Sequence, residues 1–208
     1  MFRPPLFNID DAKVLKDFMR AQSFALLMTT VDGVPFASHI PLLLEDVGEH
    51  GRLTGHLSKG NGQWQAFDGS TEALVVFWGP HAYISPNWYE AELNVPTWNY
   101  ATVHAYGKPT VTDDPDAIRQ GQEDMVDYYE SAATDNWSMD QLPEDYVAKK
   151  LKGIVSFEMQ IDRLEGKFKL SQNRTPADRE GAINGLKATG DAEAAEVARL
   201  MAEFSPAD

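Results

Sequence analysis

The chain has 208 residues, and 18 Lys and Arg stand against 32 Asp and Glu, so its formal net charge at pH 7 is −14. Hydrophobic residues make up 43% of the chain, and cysteine is absent. The apolar content is sufficient for a folded core and excludes a wholly disordered chain. The absence of cysteine excludes disulfides, cysteine nucleophiles, iron–sulfur clusters and zinc ribbons.

Hydropathy and charge also limit the kinds of partner that we expect for this chain. No apolar run approaches the roughly 20 residues of a membrane span, and residues 1–20 carry charges where a signal peptide has an apolar segment. We therefore expect a cytoplasmic protein with no membrane partner. An acidic domain lacks the cations that displace the counterions of DNA, so the charge of −14 does not support DNA as a partner.

The first predicted elements are a helix and a hairpin. Apolar side chains recur at helical spacing over residues 9–21, with Asn8 as the candidate N-cap and Asp11 in an approximate capping-box position. Asp32-Gly33 then separates two apolar runs, which is the pattern of a tight β-hairpin. Two prolines in the second strand of this hairpin place that strand near an edge of the sheet or at a bend.

The rest of the chain alternates short strands with few helices. Predicted strands cover residues 24–31, 34–44, 52–57, 73–78, 98–106, 108–111 and 155–162. A short helix runs through Trp64 and Phe67, a loop covers 81–96, and longer helices are predicted at about 114–130, 176–186 and 191–203. Short strands joined by hairpin turns favour an antiparallel barrel over a parallel α/β sheet. We predict one mainly β domain with peripheral helices (α+β) over residues 1–208, whose C-terminal helices lie at about 176–204.

The segment 54–64 is suited to an anion such as phosphate. A strand ends here in a turn that carries the Ser58 hydroxyl, the Lys59 ammonium and the start of a helix. A hydroxyl, a cation and the free N–H groups of a helix N-terminus all bind phosphate. The alternative is a glycine-rich surface turn without a ligand.

Aromatic and polar side chains are concentrated at 78–89 and 95–100. Flat heteroaromatic ligands bind to ring faces flanked by a few fixed polar groups. The alternative is an aromatic mini-core beneath a loop. The basic stretch 167–179 suits a phosphate, DNA or neighbouring acidic side chains, and solvated lysines are its simplest explanation.

The five histidines show no metal-binding spacing such as HExxH, and we predict no metal site. His39 and His56 lie on strands predicted to be neighbours, so this pair is the remaining candidate for a metal or haem. The alternative is hydrogen bonding to the backbone or to a ligand.

Five stretches together resemble the PaiB-type family of FMN-binding negative transcriptional regulators, in family order and over most of the chain. They are FASHIPLLL (36–44), LTGHLSKGNGQW (53–64), VVFWGPHAYISPNWY (75–89), VPTWNYATVHAYG (95–107) and KLSQNRTPADREGAINGL (169–186). The resemblance implies an antiparallel split β-barrel of the FMN-binding type, FMN as cofactor, a homodimer with the flavin at its interface, and DNA as a partner.

The resemblance also assigns cofactor-binding residues. Ser38 and His39 would lie on the strand that lines the flavin. The other implied contacts form three groups: His56, Ser58, Lys59 and Asn61 around the phosphate and ribityl chain; Trp98, Asn99 and Tyr100 at the ring, from the partner subunit; and Lys169, Ser171, Gln172 and Asn173 closing the site.

Two positions depart from the family pattern. Ser58-Lys59 stands where family members often have Ala-Arg, and Asn61-Gly62 stands where they often have Asn-Pro. Lysine lacks the bidentate fork that arginine offers to phosphate, and glycine raises the cost of ordering the turn. We therefore expect FMN to bind weakly and to be absent from some purified preparations.

Three functions remain open at this point. The first is the FMN-binding transcriptional regulator, although no helix-turn-helix or basic helix is recognisable. The second is a small flavin-dependent oxidoreductase or flavin reductase, with His39, His56 and Tyr100 as candidate acid–base groups. The third is a haem-binding or haem-degrading split barrel, with His81 or His104 as axial ligand.

Overall fold

The computed structural model describes residues 1–91, 93–131 and 137–204. Its strands are β1 (Asn8–Ile9), β2 (Phe24–Val31), β3 (Val34–Pro41), β4 (Leu43–Glu45), β5 (Arg52–Ser58), β6 (Ala73–Ile84), β7 (Thr97–Val111) and β8 (Ile154–Lys169). Its α-helices are α1 (Ala12–Ala21), α2 (Pro115–Glu130), α3 (Glu144–Leu151), α4 (Pro176–Ala188) and α5 (Ala192–Glu203). Short 3-10 helices lie at Pro5–Phe7, Gly62–Ala66, Pro86–Trp88 and Met139–Gln141.

The strands form one antiparallel sheet in the order β3-β2-β6-β7-β8-β5-β4, and β1 pairs with β8 outside this path. The predicted mainly β class with peripheral helices is confirmed. No helix among the described residues is long and apolar enough to cross a membrane.

The hairpin predicted at Asp32-Gly33 is confirmed. Val31 pairs with Val34, and both turn residues have positive φ, 52° at Asp32 and 79° at Gly33. Two consecutive residues of positive φ define a turn whose twist matches that of the flanking strands. Within the described residues β3 ends the sheet, as its two prolines predict, because a proline has no N–H to donate to a second neighbour.

The predicted start of the first helix is wrong. Asn8 pairs with Lys167 as part of β1, so it cannot cap a helix. Asp11 does so instead: its Oδ1 accepts a hydrogen bond from the Val14 N–H at 3.0 Å. The local sequence pattern predicts Asn8 as the N-cap of α1, but Asn8 pairs with β8 and Asp11 is the N-cap instead.

Three strands are longer than predicted. The inside–outside alternation of β6 slips at Gly79 and Pro80, which are both buried, and the strand continues to Ile84. A side chain at Gly79 would lie 2.5 Å from the Phe18 ring, so the slip needs glycine there. The predicted loop 81–96 is therefore wrong over its first four residues. In the same way β7 continues through Gly107, and β8 reaches Lys169.

Two smaller differences concern elements near β4 and β8. The predicted strand 34–44 is divided at Leu42, whose N–H donates to the Ser23 carbonyl at 2.9 Å. Helix α3 has no counterpart among the predicted elements. Its apolar positions are few, since Val147 is its one residue described as buried, and so the sequence carries little helical periodicity there.

The chain divides into two compact units. The first contains Met1–Phe18, Phe77–His104 and Glu165–Asp208, and the second contains Met19–Val76 and Ala105–Leu164. The boundary between them falls inside α1, β6, β7 and β8.

Aromatic side chains fill the core of the first unit. The Phe168 ring lies 5.1 Å from that of Phe18 and 5.0 Å from that of Phe204. Helix α4 presents Gly181 and Gly185 to Trp88: a Cβ at Gly181 would lie 2.0 Å from the Trp88 carbonyl oxygen. These glycines allow α4 to approach the 3-10 turn at Pro86–Trp88.

The core of the second unit is built by alternating strand residues. Leu27, Val75 and Met159 are completely buried, and the Phe67 and Phe157 rings lie 4.8 Å apart. The period-two pattern of Val155, Phe157 and Met159 that predicted a half-buried strand is confirmed.

Candidate functional site

The turn after β5 is held in place by one asparagine. Asn61 Nδ2 donates to Ser38 Oγ at 2.8 Å, and its Oδ1 accepts from the Gln63 N–H at 3.0 Å, which caps the 3-10 helix that follows. The Asn61 N–H donates to the Ser58 carbonyl at 2.8 Å and closes the turn. Two of the predicted cofactor residues, Ser38 and Asn61, are therefore in direct contact.

Gln63, which the sequence patterns did not assign to the site, anchors this turn to the sheet. The side chain is completely buried, and its Nε2 donates to the Leu27 carbonyl at 3.0 Å and to Thr29 Oγ1 at 3.1 Å. A polar residue placed between a capping asparagine and Trp64 was the available signal. The anchor fixes the turn against β2, and this lowers the entropy lost when a ligand binds there.

The exposed part of the turn presents groups suited to an anion. Ser58, Lys59 and Gly60 are exposed, and no ion pair of Lys59 occurs within the described ranges. A Cβ at Gly62 would meet open space, so a ligand can approach the backbone at the start of the 3-10 helix. The Lys59 N–H donates to the Gly153 carbonyl at 2.9 Å, which keeps the turn at a fixed position.

The two histidines of this unit have different surroundings. His39 is exposed, and its ring stacks on Phe24 with centroids 6.4 Å apart. His56 lies against α2, and Gln122 Nε2 is 3.0 Å from its Nδ1. Burial lowers the pKa of His56, so the neutral ring accepts from Gln122 at Nδ1 and carries its proton at Nε2.

The expectation that His39 and His56 occupy neighbouring strands is wrong. Strand β3 pairs with β2, whereas β5 pairs with β4 and β8. Hairpin order along the chain did not determine the sheet order, because β8 is inserted beside β5 from a distant part of the sequence. Among the described residues no cluster of three His, Asp or Glu could hold a metal ion.

In the first unit, Asn99 and Ser171 contact each other. Asn99 is completely buried, and its Nδ2 donates to Ser171 Oγ at 2.9 Å. Ser171 has φ of +65°, a conformation that costs energy for a residue with a side chain. Asn99 and Ser171 were both predicted to contact the flavin. In this chain their side chains bond to each other and hold β7 to the turn after β8. Their role as direct ligands stays a prediction.

Lys169 and Gln172 organise the same turn. Lys169 Nζ donates to Thr97 Oγ1 and to the Trp98 carbonyl, each at 2.5 Å. Burial lowers the pKa of Lys169, and the positive charges of Lys167 and Arg174 lower it further. The Gln172 amide bonds the preceding backbone through both of its polar atoms: Nε2 donates to the Phe168 carbonyl at 2.7 Å, and Oε1 accepts from the Leu170 N–H at 2.7 Å. Asn173 is exposed beside them.

Five rings form an exposed aromatic cluster in this unit: Trp78, His81, Tyr83, Trp98 and Tyr100. Trp78 and Tyr100 stack within 5° of parallel at 6.3 Å, and His81 and Tyr83 each lie 6.0 Å from Trp98. Trp78 and Trp98 are each 54% exposed. Glu193 of α5 orients the cluster, with its carboxylate 2.7 Å from His81 Nδ1. Trp98 and Tyr100, which the resemblance assigns to the flavin ring, both belong to this cluster. The sequence did not assign its other members Trp78 and Tyr83, or the neighbouring Glu193, to the cofactor.

Solved structures establish the class of fold. The flavocytochrome Anf3 from Azotobacter vinelandii superposes with a TM-score of 0.63 over 84% of this chain and 72% of that one, at 16% sequence identity. The FAD and haem binding protein from Mycobacterium smegmatis superposes with a TM-score of 0.57 over 78% and 73%, at 18% identity. At these identities the likeness concerns the fold, which is the antiparallel split barrel of flavin-binding proteins.

Sequence relatives establish the family. Residues 1–163 match the family described as "Putative FMN-binding domain". The protease synthase and sporulation protein PAI 2 of Bacillus subtilis is 37% identical over 201 residues, covering 97% of this chain and 96% of that protein. An uncharacterised protein from Aspergillus fumigatus is 30% identical over 91% of this chain and 92% of its own length. The chain therefore belongs to the PaiB-type FMN-binding family, and the predicted family and cofactor are confirmed.

The residues present fit FMN. The phosphate of FMN requires a cation and donors, and Lys59, Ser58 and the backbone before Gly62 supply them beside open space. Exposed aromatic ring faces suit an isoalloxazine, and the aromatic cluster of the first unit has such faces.

Proposed function

We propose that this protein is an FMN-binding negative regulator of transcription that works as a homodimer in the cytoplasm. Support comes from the family and from the similarity to PAI 2 over nearly the whole of both chains. The observation that carries the flavin part is the anchored turn that exposes Lys59, with Asn61 bonded to Ser38.

In this proposal one protomer holds the phosphate and ribityl chain through Ser38, His39, His56, Ser58, Lys59 and Asn61. Residues of the partner copy that correspond to Trp98 and Tyr100 would face the ring, and the segment of Lys169 to Asn173 would close the site. FMN supplies electron transfer when bound, and the protein's part is to position it and set its surroundings. The exposed hydrophobic side chains Phe24, Val34 and Phe36 of the β2–β3 hairpin support a protein interface.

Titration of FMN fluorescence tests the flavin site. We expect saturable quenching by the wild-type protein, and we expect Lys59→Ala to weaken binding about tenfold because one charge-assisted phosphate contact is lost. Lys108→Ala removes an exposed lysine of β7 that is no part of the proposed site, and it should change affinity by less than about twofold. Equal loss in both variants, or no saturation at tens of micromolar, would contradict the proposed site.

A flavin-dependent oxidoreductase is the second candidate, and the net charge of −14 favours it because this charge opposes DNA binding. Gel shifts with promoter DNA across a salt series separate the two functions. A regulator that holds DNA itself loses affinity steeply with salt, whereas an oxidoreductase oxidises NADH or NADPH in proportion to bound FMN. A haem absorbance band after haem addition would indicate the third alternative, with His81 or His104 as the ligand.

A further inference from the structure

The second unit contains an apolar cleft. Of the residues that line it, only Lys59 is among those assigned to flavin. Its volume is about 530 Å³, and its walls include Ile118 of α2, Ala148 and Leu151 of α3, and Ile154 of β8. Clefts of this size and character are typical of sites for small organic molecules.

Two cations lie at this cleft, and one carboxylate accompanies them. Lys59 and Lys152 both line it, together with Asp113. Neither lysine makes an ion pair within the part of the chain that the structure describes, although acids outnumber basic residues by 32 to 18. The hydrogen bond from the Lys59 N–H to Gly153, 2.9 Å long, fixes the backbone segments of the two lysines against each other. The charge at the cleft is therefore complementary to an anion.

A buried hydroxyl supplies a second, independent observation. Ser156 lines the same cleft, is 8% exposed, and its Oγ has no hydrogen-bond partner among the described residues. Ser156 follows Ile154 and Val155 along β8, and these two residues also line the cleft. A buried hydroxyl without a partner is costly in a native protein and calls for an explanation such as a bound ligand.

We propose that this cleft binds a small amphipathic anion, namely a flat apolar body that carries one carboxylate or sulfonate group. The apolar body would lie on Ile118, Ala148 and Leu151, and the anionic group would be held by Lys152, while Lys59 stays assigned to the flavin phosphate. Ser156 Oγ would bond to a polar atom of the ligand. Trp64, whose Nε1 donates to the Lys59 carbonyl at 3.2 Å, offers a ring at the edge of the cleft. The proposal does not depend on flavin binding.

The probe for the test is 8-anilinonaphthalene-1-sulfonate, whose fluorescence rises in apolar surroundings, titrated into the full-length protein. We expect one saturable site per chain. Naphthalene-2-carboxylate should displace the probe, whereas 2-naphthylmethylammonium, a cation of similar shape, should not.

Three variants locate the site. Lys152→Glu should weaken binding about three- to tenfold by reversing a charge at the rim, while Lys149→Glu, the same change at an exposed position of α3 outside the cleft, should not. Ala148→Trp should reduce affinity by about tenfold or more because the indole occupies the cleft. Ser156→Ala should reduce it about fivefold and yet raise the urea midpoint of the unliganded protein, because an unpaired buried hydroxyl is removed.

The outcomes separate this proposal from the proposed function. Full displacement of the probe by FMN would mean that the cleft is part of the flavin site, and the proposal would be overturned. It would also fail if the probe did not bind, or if all variants bound it equally. A higher affinity after Ser156→Ala would contradict the role of the hydroxyl. Failure of FMN titration with retained, variant-sensitive probe binding would instead leave the cleft assigned and overturn only the flavin proposal.

Discussion

At the scale of single residues, His56, which the sequence predicts to contact the flavin, is half-buried, and its burial makes the stability of the fold depend on pH. Its Nδ1 accepts from Gln122 on α2, and burial lowers its pKa below the ordinary value of 6.5. The unfolded chain therefore binds a proton before the folded protein does as the pH falls. The contribution of neutral His56 to stability is complete above about pH 6.5 and is lost as the pH falls toward the lowered folded pKa.

We therefore predict that the free energy of unfolding decreases between about pH 7.5 and 5.5, and that His56→Asn makes this decrease smaller. Asparagine keeps an acceptor for Gln122 and cannot titrate. The pKa of His104 is lowered in the same direction, first by burial and then by the N-terminal ammonium, so part of the pH dependence should remain.

Urea midpoints measured across this pH range for the wild type and for His56→Asn check the prediction. His50→Asn makes the same change in the loop before β5 and is the control for the substitution itself. Parallel curves for the wild type and His56→Asn would show that His56 does not titrate differently in the two states.

At the scale of elements, helix α4 is positioned by two glycines. Gly181 and Gly185 lie four residues apart on the face that meets Trp88, where a Cβ at Gly185 would lie 2.3 Å from the indole. Glycine is unfavourable inside a helix by about 1 kcal/mol relative to alanine. The close approach of α4 to Trp88 offsets that cost.

This packing predicts opposite effects for two glycine-to-alanine substitutions. Gly181→Ala should lower the free energy of unfolding by about 1–3 kcal/mol, because the new methyl group collides with the backbone carbonyl of Trp88. Gly121→Ala in α2 meets no atom within 4 Å and should raise it by about 0.5–1 kcal/mol through helix propensity. Urea denaturation of both variants measures the difference, and stabilisation in both would contradict the close packing.

At the scale of the whole molecule, the number of domains is still a prediction. The two compact units divide α1, β6, β7 and β8 between them, so each of these elements would lose its continuity if the units folded apart. Because β6, β7 and β8 each contribute residues to both units, we expect one cooperative domain.

We predict one unfolding transition, with coincident curves from far-ultraviolet circular dichroism and tryptophan fluorescence. If the protein is a homodimer, the transition midpoint should rise with protein concentration because association stabilises the folded state. Sedimentation velocity over a concentration series provides the independent measure of mass. Two separate transitions would contradict the single domain, and a concentration-independent midpoint with monomer mass would contradict the dimer.

Local patterns predicted the elements that depend on neighbouring residues. The hairpin at Asp32-Gly33 follows from turn chemistry, and the buried face of β8 follows from alternation. Predictions failed where a distant segment decided the outcome: Asn8 is taken into β1 by β8, and β6 continues past Gly79 because Phe18 packs there. Within the site, the Asn61 turn was predicted, whereas Gln63 was not, because its three acceptors come from β2 and β3.

The sequence by itself determined the family and the mainly β class, because these depend on composition, period and motif order, and it predicted which residues could meet a phosphate. Only the tertiary structure decided which polar groups satisfy one another and which are left without a partner. Asn99 and Ser171 bond together in the core, and Ser156 is left without a partner beside an apolar cleft. Hydrogen bonding and burial depend on residues that are far apart in the sequence, such as His56 and Gln122, which are 66 positions apart. A local pattern carries no record of such pairs.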